Sequence, residues 1–257
     1  MKRLFIAGLL TSLVSLSGCA KDYSLAPPPD SEHVTVTVKV PDELVAETME
    51  VVYRSTLCAS MRYTAIGTSY KRDGVQRMNI TPVRLATSDI YEAKLPRDGG
   101  GACQWRLSNV TFGVKYENPT RLGENVSYGG GGGVVVMFDH NNSPHGGADI
   151  EIDGDLIIKQ DYYPWIDEGF LGQYKKTISL AGGGYSYRMY KALQAQKIYF
   201  GPVLHTQFVL YSKGPKVKKK GNYTSYTYPD GSVYADGRSH PNFLRLQTIR
   251  LKAEGKQ

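Results

Sequence analysis

An all-β fold, β-sandwich-like and built from antiparallel strands with few short helices, is predicted from three features of this sequence. Apolar and polar residues alternate over strand-length stretches, β-branched and aromatic runs recur between turn signals, and helical periodicity is nearly absent. "HVTVTVKV" (33–40) puts Val34, Val36, Val38 and Val40 on one side and His33, Thr35, Thr37 and Lys39 on the other, a half-buried strand. "MEVVYRSTLC" and "MRYTAIGTSY" continue as strands, followed by "QRMNITPVRLAT", "DIYEAKLP" and "CQWRLSNVTFGVKYE". "RDGGGA" and "ENPTRLGEN" break them as turns. "YGGGGGVVVMFD" (128–139) leads its glycines into a strand without a following Lys-Ser/Thr, so it reads as a hairpin or inter-strand loop and not as a phosphate cradle. "NYTSYTYPDGSVYADG" (222–237) has two alternating aromatic arms around Pro229-Asp230-Gly231, a hairpin signal. In "FLRLQTIRLK", Leu244 and Leu246 share one parity while Ile249 and Leu251 share the other, which predicts a strand with a bulge near Gln247–Thr248. The best helix candidate is "YRMYKALQAQK" (187–197), with "PDELVAETM" a weaker one. A division near 139–148 gives modules 33–140 and 141–257, and one continuous sandwich over 33–257 accounts for the same pattern.

The first 18 residues have the order of a secretory signal: Lys2 and Arg3, the apolar run "LFIAGLLTSLVSL", then Ser17 and Gly18. Leu16-Ser17-Gly18-Cys19 resembles a bacterial lipoprotein signal, which implies removal of residues 1–18 and acylation of Cys19. Ala20, where the enteric sorting rule has Asp for retention, implies outer-membrane delivery facing the periplasm. Residues 19–32, "CAKDYSLAPPPDSE", read as a Pro-rich tether that holds the folded part off the membrane.

Removal of the signal leaves 239 residues, enough for a real core, and loss of Lys2 and Arg3 lowers the formal charge from +7 to +5. That mild excess suits acidic lipid or an acidic protein partner, and no zinc spacing, RNA-binding signature or helix-turn-helix points to nucleic acid. With Cys19 acylated, Cys58 and Cys103 remain, and an even count in an oxidising compartment predicts one disulfide.

Candidate chemistry is sparse. His140 and His145 with Asp139 and Asp149 are metal-ligand types, but they stand in an Asn/Ser/Pro/Gly loop where exposed His and Asp ordinarily collect; no metal or cofactor is assigned. "DIEIDGDLIIK" sets Asp149, Glu151, Asp153 and Asp155 on one strand face; a glycosidase could draw a carboxylate pair from it, whereas an exposed acidic face explains it more simply. No nucleophile elbow is present and no catalytic residue is assigned. Lys213, Lys216, Lys218, Lys219 and Lys220 cluster in "KGPKVKKKG", flanked by Tyr211, Tyr223, Tyr226, Tyr228 and Tyr234. Lysines attract an acidic partner and tyrosines offer contact area with a polar tip, so Lys218, Lys219, Lys220, Tyr226 and Tyr228 are the candidate binding residues.

The acylation signal, the Pro-rich stretch, "MEVVYRSTLC", the Cys58/Cys103 pair and "YPDGSVYADGRSHPNF" together resemble, in layout, periplasmic immunity lipoproteins that protect bacteria from lipase effectors of the type VI secretion system. The resemblance implies a non-enzymatic, β-rich binder of a cognate effector and transfers no functional residue. A structural or assembly lipoprotein of an envelope machine, or an envelope hydrolase, are the alternative expectations.

Overall fold

The computed structural model describes residues 22–141, 150–183 and 187–256. Cys19, His145 and Asp149 lie outside the described residues. The strands, in chain order, are β1 (His33–Lys39), β2 (Leu44–Ala46), β3 (Met49–Tyr63), β4 (Ser69–Ile80), β5 (Val83–Arg84), β6 (Ile90–Pro96), β7 (Asp98–Gly100), β8 (Trp105–Tyr116) and β9 (Val126–Gly131). They continue with β10 (Gly133–Met137), β11 (Ile150–Glu151), β12 (Leu156–Gly169), β13 (Lys175–Ala181), β14 (Tyr187–Lys191), β15 (Lys197–Leu204), β16 (Leu210–Lys213), β17 (Ser225–Thr227) and β18 (Val233–Tyr234), followed by a helix, α1 (Phe243–Ala253).

The protein is mostly β, in two mixed sheets. The first runs β18-β17-β16-β12-β15-β1-β6-β5, with β13 and β9 branching from β12; the second runs β11-β14-β10-β8-β3-β4, with β2 and β7 also on β8. Pairing is not purely antiparallel: β1 and β12 each lie parallel to β15, β12 to β16, β9 to β13, and β14 to both β10 and β11. Both sheets mix strands from either side of residue 140.

The alternation of β1 is realised, with Val34, Val36 and Val38 fully buried. One large apolar cluster joins them to Val51 of β3, Phe112 of β8, Val134 of β10 and Phe200 of β15. The rings of Phe112 and Phe200, from different sheets, meet edge-on at 5.9 Å. Burial of Glu47, between β2 and β3, pushes its carboxyl above the usual range, partly opposed by Lys115. A raised carboxyl means the native state holds the proton more readily, so the destabilising charge develops as pH rises above the ordinary 4.5. Glu47→Gln is therefore expected to raise the melting temperature at neutral pH and to leave it unchanged well below that value, as paired thermal melts will read.

Three segments depart from expectation. Residues 243–253 form a helix and not a bulged strand: Asn242 Oδ1 accepts from Arg245 N at 3.2 Å as N-cap, and Arg250 and Lys252 occupy the last turn. Its inward residues, Phe243, Leu246 and Ile249, pack against Tyr163, Leu210 and Tyr226. Within "YRMYKALQAQK", Tyr187–Lys191 is strand β14, its register to β10 aligning Met189 with Val135. Open ladders on both sides outweigh weak helix propensity there. "PDELVAETM" yields β2, paired to β8.

The N-terminal stretch is no free spacer from residue 22 onward. Tyr23 O accepts from Gln76 Nε2 at 3.0 Å and from Trp105 Nε1 at 3.2 Å, while Ala26 N donates to Gly99 O and Ala26 bridges to Gly100. Farther on, Asp98 N donates to Ser31 Oγ at 3.1 Å. The glycines of "RDGGGA" make this possible. A side chain at Gly99 would strike Tyr53 and Leu25, and Gly100, at φ +58°, lies directly against the Ala26 carbonyl. The strap crosses beside the Cys58–Cys103 disulfide, whose S–S distance is 1.98 Å.

Candidate binding surface

The long strand β12 organises the region around the lysine cluster. Its first half pairs with β15 up to Tyr162, and its second half pairs with β16 from Trp165. Pro164, which has no N–H to give, falls in the gap between those partners. Register then defines a transverse row across five strands: Ile178 (β13), Ile166 (β12), Tyr211 (β16), Thr227 (β17) and Val233 (β18). Ile178 and Ile166 belong to the main core. Along the same row Tyr211 is 51% and Val233 60% exposed, so the core-facing side of the sheet runs out into solvent at its margin.

The opposite side of this margin is covered by α1. Leu210, Tyr226, Tyr228 and Leu246 are buried together with Tyr163. Tyr226 and Tyr228 are therefore corrected from exposed anchors to core residues, 2% and 5% accessible. Tyr226 OH donates to Arg238 O at 3.2 Å, and burial pushes its hydroxyl up to about 12, with Asp167 a further cause. Tyr228 OH accepts from Asn242 N at 3.0 Å, beneath Arg245, whose guanidinium stands over both the Tyr228 and Tyr234 rings. Alternation in "SYTYPDGSVY" shows which residues share a side; a helix over one side decides which side is dry. The turn itself is as expected: Tyr228 N donates to Ser232 O, and Gly231, at φ +80°, donates to Tyr228 O.

Lys218, Lys219 and Lys220 are exposed, in the loop between β16 and β17. Asn222 closes the loop on itself, its N–H donating to Lys219 O and its Nδ2 to Val217 O. Lys213 and Lys216 stand over the Phe170 ring at 5.5 and 5.8 Å. Tyr211, Val217, Tyr223, Val233 and Tyr234 are exposed large side chains of this end.

Behind the margin opens a cleft of about 530 Å³, lined among others by Gly130, Trp165, Asp167, Thr177, Ser179 and His240. Trp165 Nε1 donates to Ser212 Oγ at 2.7 Å, and that hydroxyl donates in turn to Asp167. Ser212 is buried, and its two hydrogen bonds cross-link β12 to β16. The glycine run supplies β9 and β10, which belong to different sheets, the chain crossing between them where Gly130, Gly131 and Gly132 take positive φ.

The acids do not share one strand face: Glu151 ends β11, while Asp153 and Asp155 stand in the bend before β12. Asp155 accepts from Gln196 N and Lys197 N, both at 2.8 Å, and Glu151 accepts from Lys191 at 2.7 Å. These hydrogen bonds hold both carboxyls below the usual range, the opposite of what a general acid needs. Among the described residues no three His, Cys, Asp or Glu side chains gather as a metal site, and no helix is long and apolar enough to cross a membrane.

No protein-family model, curated protein or solved structure matches this chain.

Proposed function

We propose that this protein is a lipid-anchored, periplasm-facing protein of the outer membrane that binds a protein partner through the overhanging margin of its first sheet. On the pattern of the immunity lipoproteins it resembles in layout, the partner is a lipase-type effector that it neutralises. The observation that carries the reading is the row Ile178–Ile166–Tyr211–Thr227–Val233, buried at one end and open at the other, beside five lysines. An apolar strip with a Tyr at its centre and a cationic rim has the composition of a protein-binding site for an acidic partner. The rigid backing by α1 lowers the entropy lost on binding.

The test has three parts. Palmitate labelling must report on Cys19 and vanish in Cys19→Ala. The protein is then co-purified with candidate lipase effectors, and lipase activity is measured with and without it. In a complex so obtained, Tyr211→Ala is expected to raise the off-rate, tenfold for about each 1.4 kcal/mol lost. Neutralising Lys218, Lys219 and Lys220 should slow association and flatten its salt dependence. If the protein neither binds nor lowers the activity of any such enzyme, the structural or assembly role takes precedence.

A further inference from the structure

We propose that the outer half of the β3–β4 hairpin is a second membrane contact, one that lays this end of the protein on an anionic bilayer beside its lipid anchor. The proposal rests on the reading of Cys19 as acylated. Inside the body, β3 is flanked by β4 on one side and β8 on the other, but its pairing with β8 stops at Arg54. Beyond the register shift between Ser55 and Ser60, β3 pairs with β4 alone, from Ser60↔Arg72 to Tyr63↔Ser69. Every residue from 60 to 72 is exposed. The arm is nevertheless held firmly at its root, where Cys58 is bonded to Cys103 and Ser55 Oγ accepts from Leu57 N and Cys58 N.

An arm in solvent ordinarily carries polar side chains, and this one sets large apolar and aromatic ones among them. Met61, Tyr63 and Tyr70 are exposed, and Ile66, at the tip, is 90% exposed. Arg62, Lys71 and Arg72 stand among them, with Asp73 the single acid of the stretch, and none of the three cations forms a salt bridge among the described residues. Register sets Met61 opposite Lys71 and Arg62 opposite Tyr70, so both sides of the ribbon mix apolar or aromatic with basic groups. Tyrosines settle at the level of lipid headgroups, and long basic side chains keep their charge in the anionic layer while their stems lie in apolar surroundings.

The strap decides between a bilayer and any other occupant. Asp22 O lies 3.9 Å from Cys103 Sγ, and Tyr23 is fastened to Gln76 and Trp105, so the described chain begins at the root of this arm. Only Ala20 and Lys21 separate Cys19 from Asp22, and the three steps of chain span at most about 10 Å. From Cys58 through Tyr63 to the turn at Ile66 the arm reaches about 20 Å. An acyl anchor that close to the root leaves the arm at the membrane surface, where exposed Ile66 and Tyr63 can enter the headgroup layer.

The experiment uses the chain from residue 19 onward, carrying Cys19→Ser and retaining every described residue, so that no acyl chain contributes. Its pelleting with phosphatidylcholine vesicles is compared with pelleting by vesicles that also contain phosphatidylglycerol. Binding is expected only with the anionic lipid. Ile66→Asp with Tyr63→Asp should abolish it. Arg62→Gln with Lys71→Gln and Arg72→Gln should weaken it about 100-fold, the roughly fivefold per basic residue that about 1 kcal/mol near an anionic surface converts to. No binding to either vesicle, equal binding to both, or binding untouched by the two variant sets would each overturn the proposal. Because these positions are solvent-exposed, an unchanged melting temperature certifies each variant. Palmitate labelling of the unaltered protein tests the anchor separately, so either idea can fail alone.

Discussion

Replacing Cys58 and Cys103 together with alanine is expected to lower stability by about 4 kcal/mol. The loop they close has a sequence separation of 45, and cross-linking it removes that much conformational freedom from the unfolded chain on the loop-entropy account. The loss falls on a particular place. Ser55 and Cys58 at the arm's root, Trp105 and the strap at Tyr23 all meet around this bond. Local opening should therefore precede global unfolding, with proteolysis concentrated in residues 56–73. Urea titration reads the first effect as a fall in midpoint, with a steeper slope because the freed unfolded chain exposes more surface. A loss well under 1 kcal/mol would mean that strap and ladder hold the arm without the bond. The prediction also bears on the membrane contact, since a loosened arm presents Tyr63 and Ile66 less rigidly and pays more entropy on binding.

How much of this was legible in the sequence depends on what each feature encodes. Period-2 alternation encodes which residues share a side, and β1 and the Pro229–Gly231 turn were readable on that basis. It carries nothing about strand direction, so the parallel pairs of β15 with β1 and β12 could not be read, their partners lying far apart along the chain. The helix α1 was present in the sequence as Phe243, Leu246 and Ile249–Arg250 after Asn242, a cap followed by helical spacing. Reading the change of parity as a bulge hid it. That single error carried over to the site: without α1 there was no reason for Tyr226 and Tyr228 to be dry, and Tyr211 was not singled out. Likewise "AKDYSLAPPPDSE" has the composition of a spacer, and only the third dimension shows Gly99 and Gly100 making room for it.

Arg250→Met is expected to cost about 3 kcal/mol, the low end of what breaking a buried ion pair costs, since Asp161 keeps some contact with water. Arg250 Nη2 donates to Asp161 Oδ2 at 3.2 Å, Nε to Tyr163 OH at 2.9 Å and Nη1 to Glu254 Oε2 at 3.0 Å. Asp161 also meets His205 Nε2 at 2.7 Å, and the His205 ring stacks on Tyr163 at 5.1 Å. One guanidinium thus ties the last helical turn to β12. Methionine fills similar volume but leaves the Asp161 carboxylate and the Tyr163 hydroxyl short of a donor, and the unpaired groups account for most of the cost. Asp161→Asn added to Arg250→Met should then recover part of the loss, a coupling that a double-mutant cycle measures directly. Arg250→Lys restores charge without the three-way fork and should fall between. Hydrogen exchange locates the effect: α1 backs β16–β18, so amides of Leu210 and Tyr226 should exchange faster in Arg250→Met, with β1 and β8 unchanged. Because the same helix holds the underside of the Tyr211–Val233 row, partner binding should weaken in step with that local opening. Binding that stays intact while the helix frays would detach the row from its backing and place the recognition surface elsewhere.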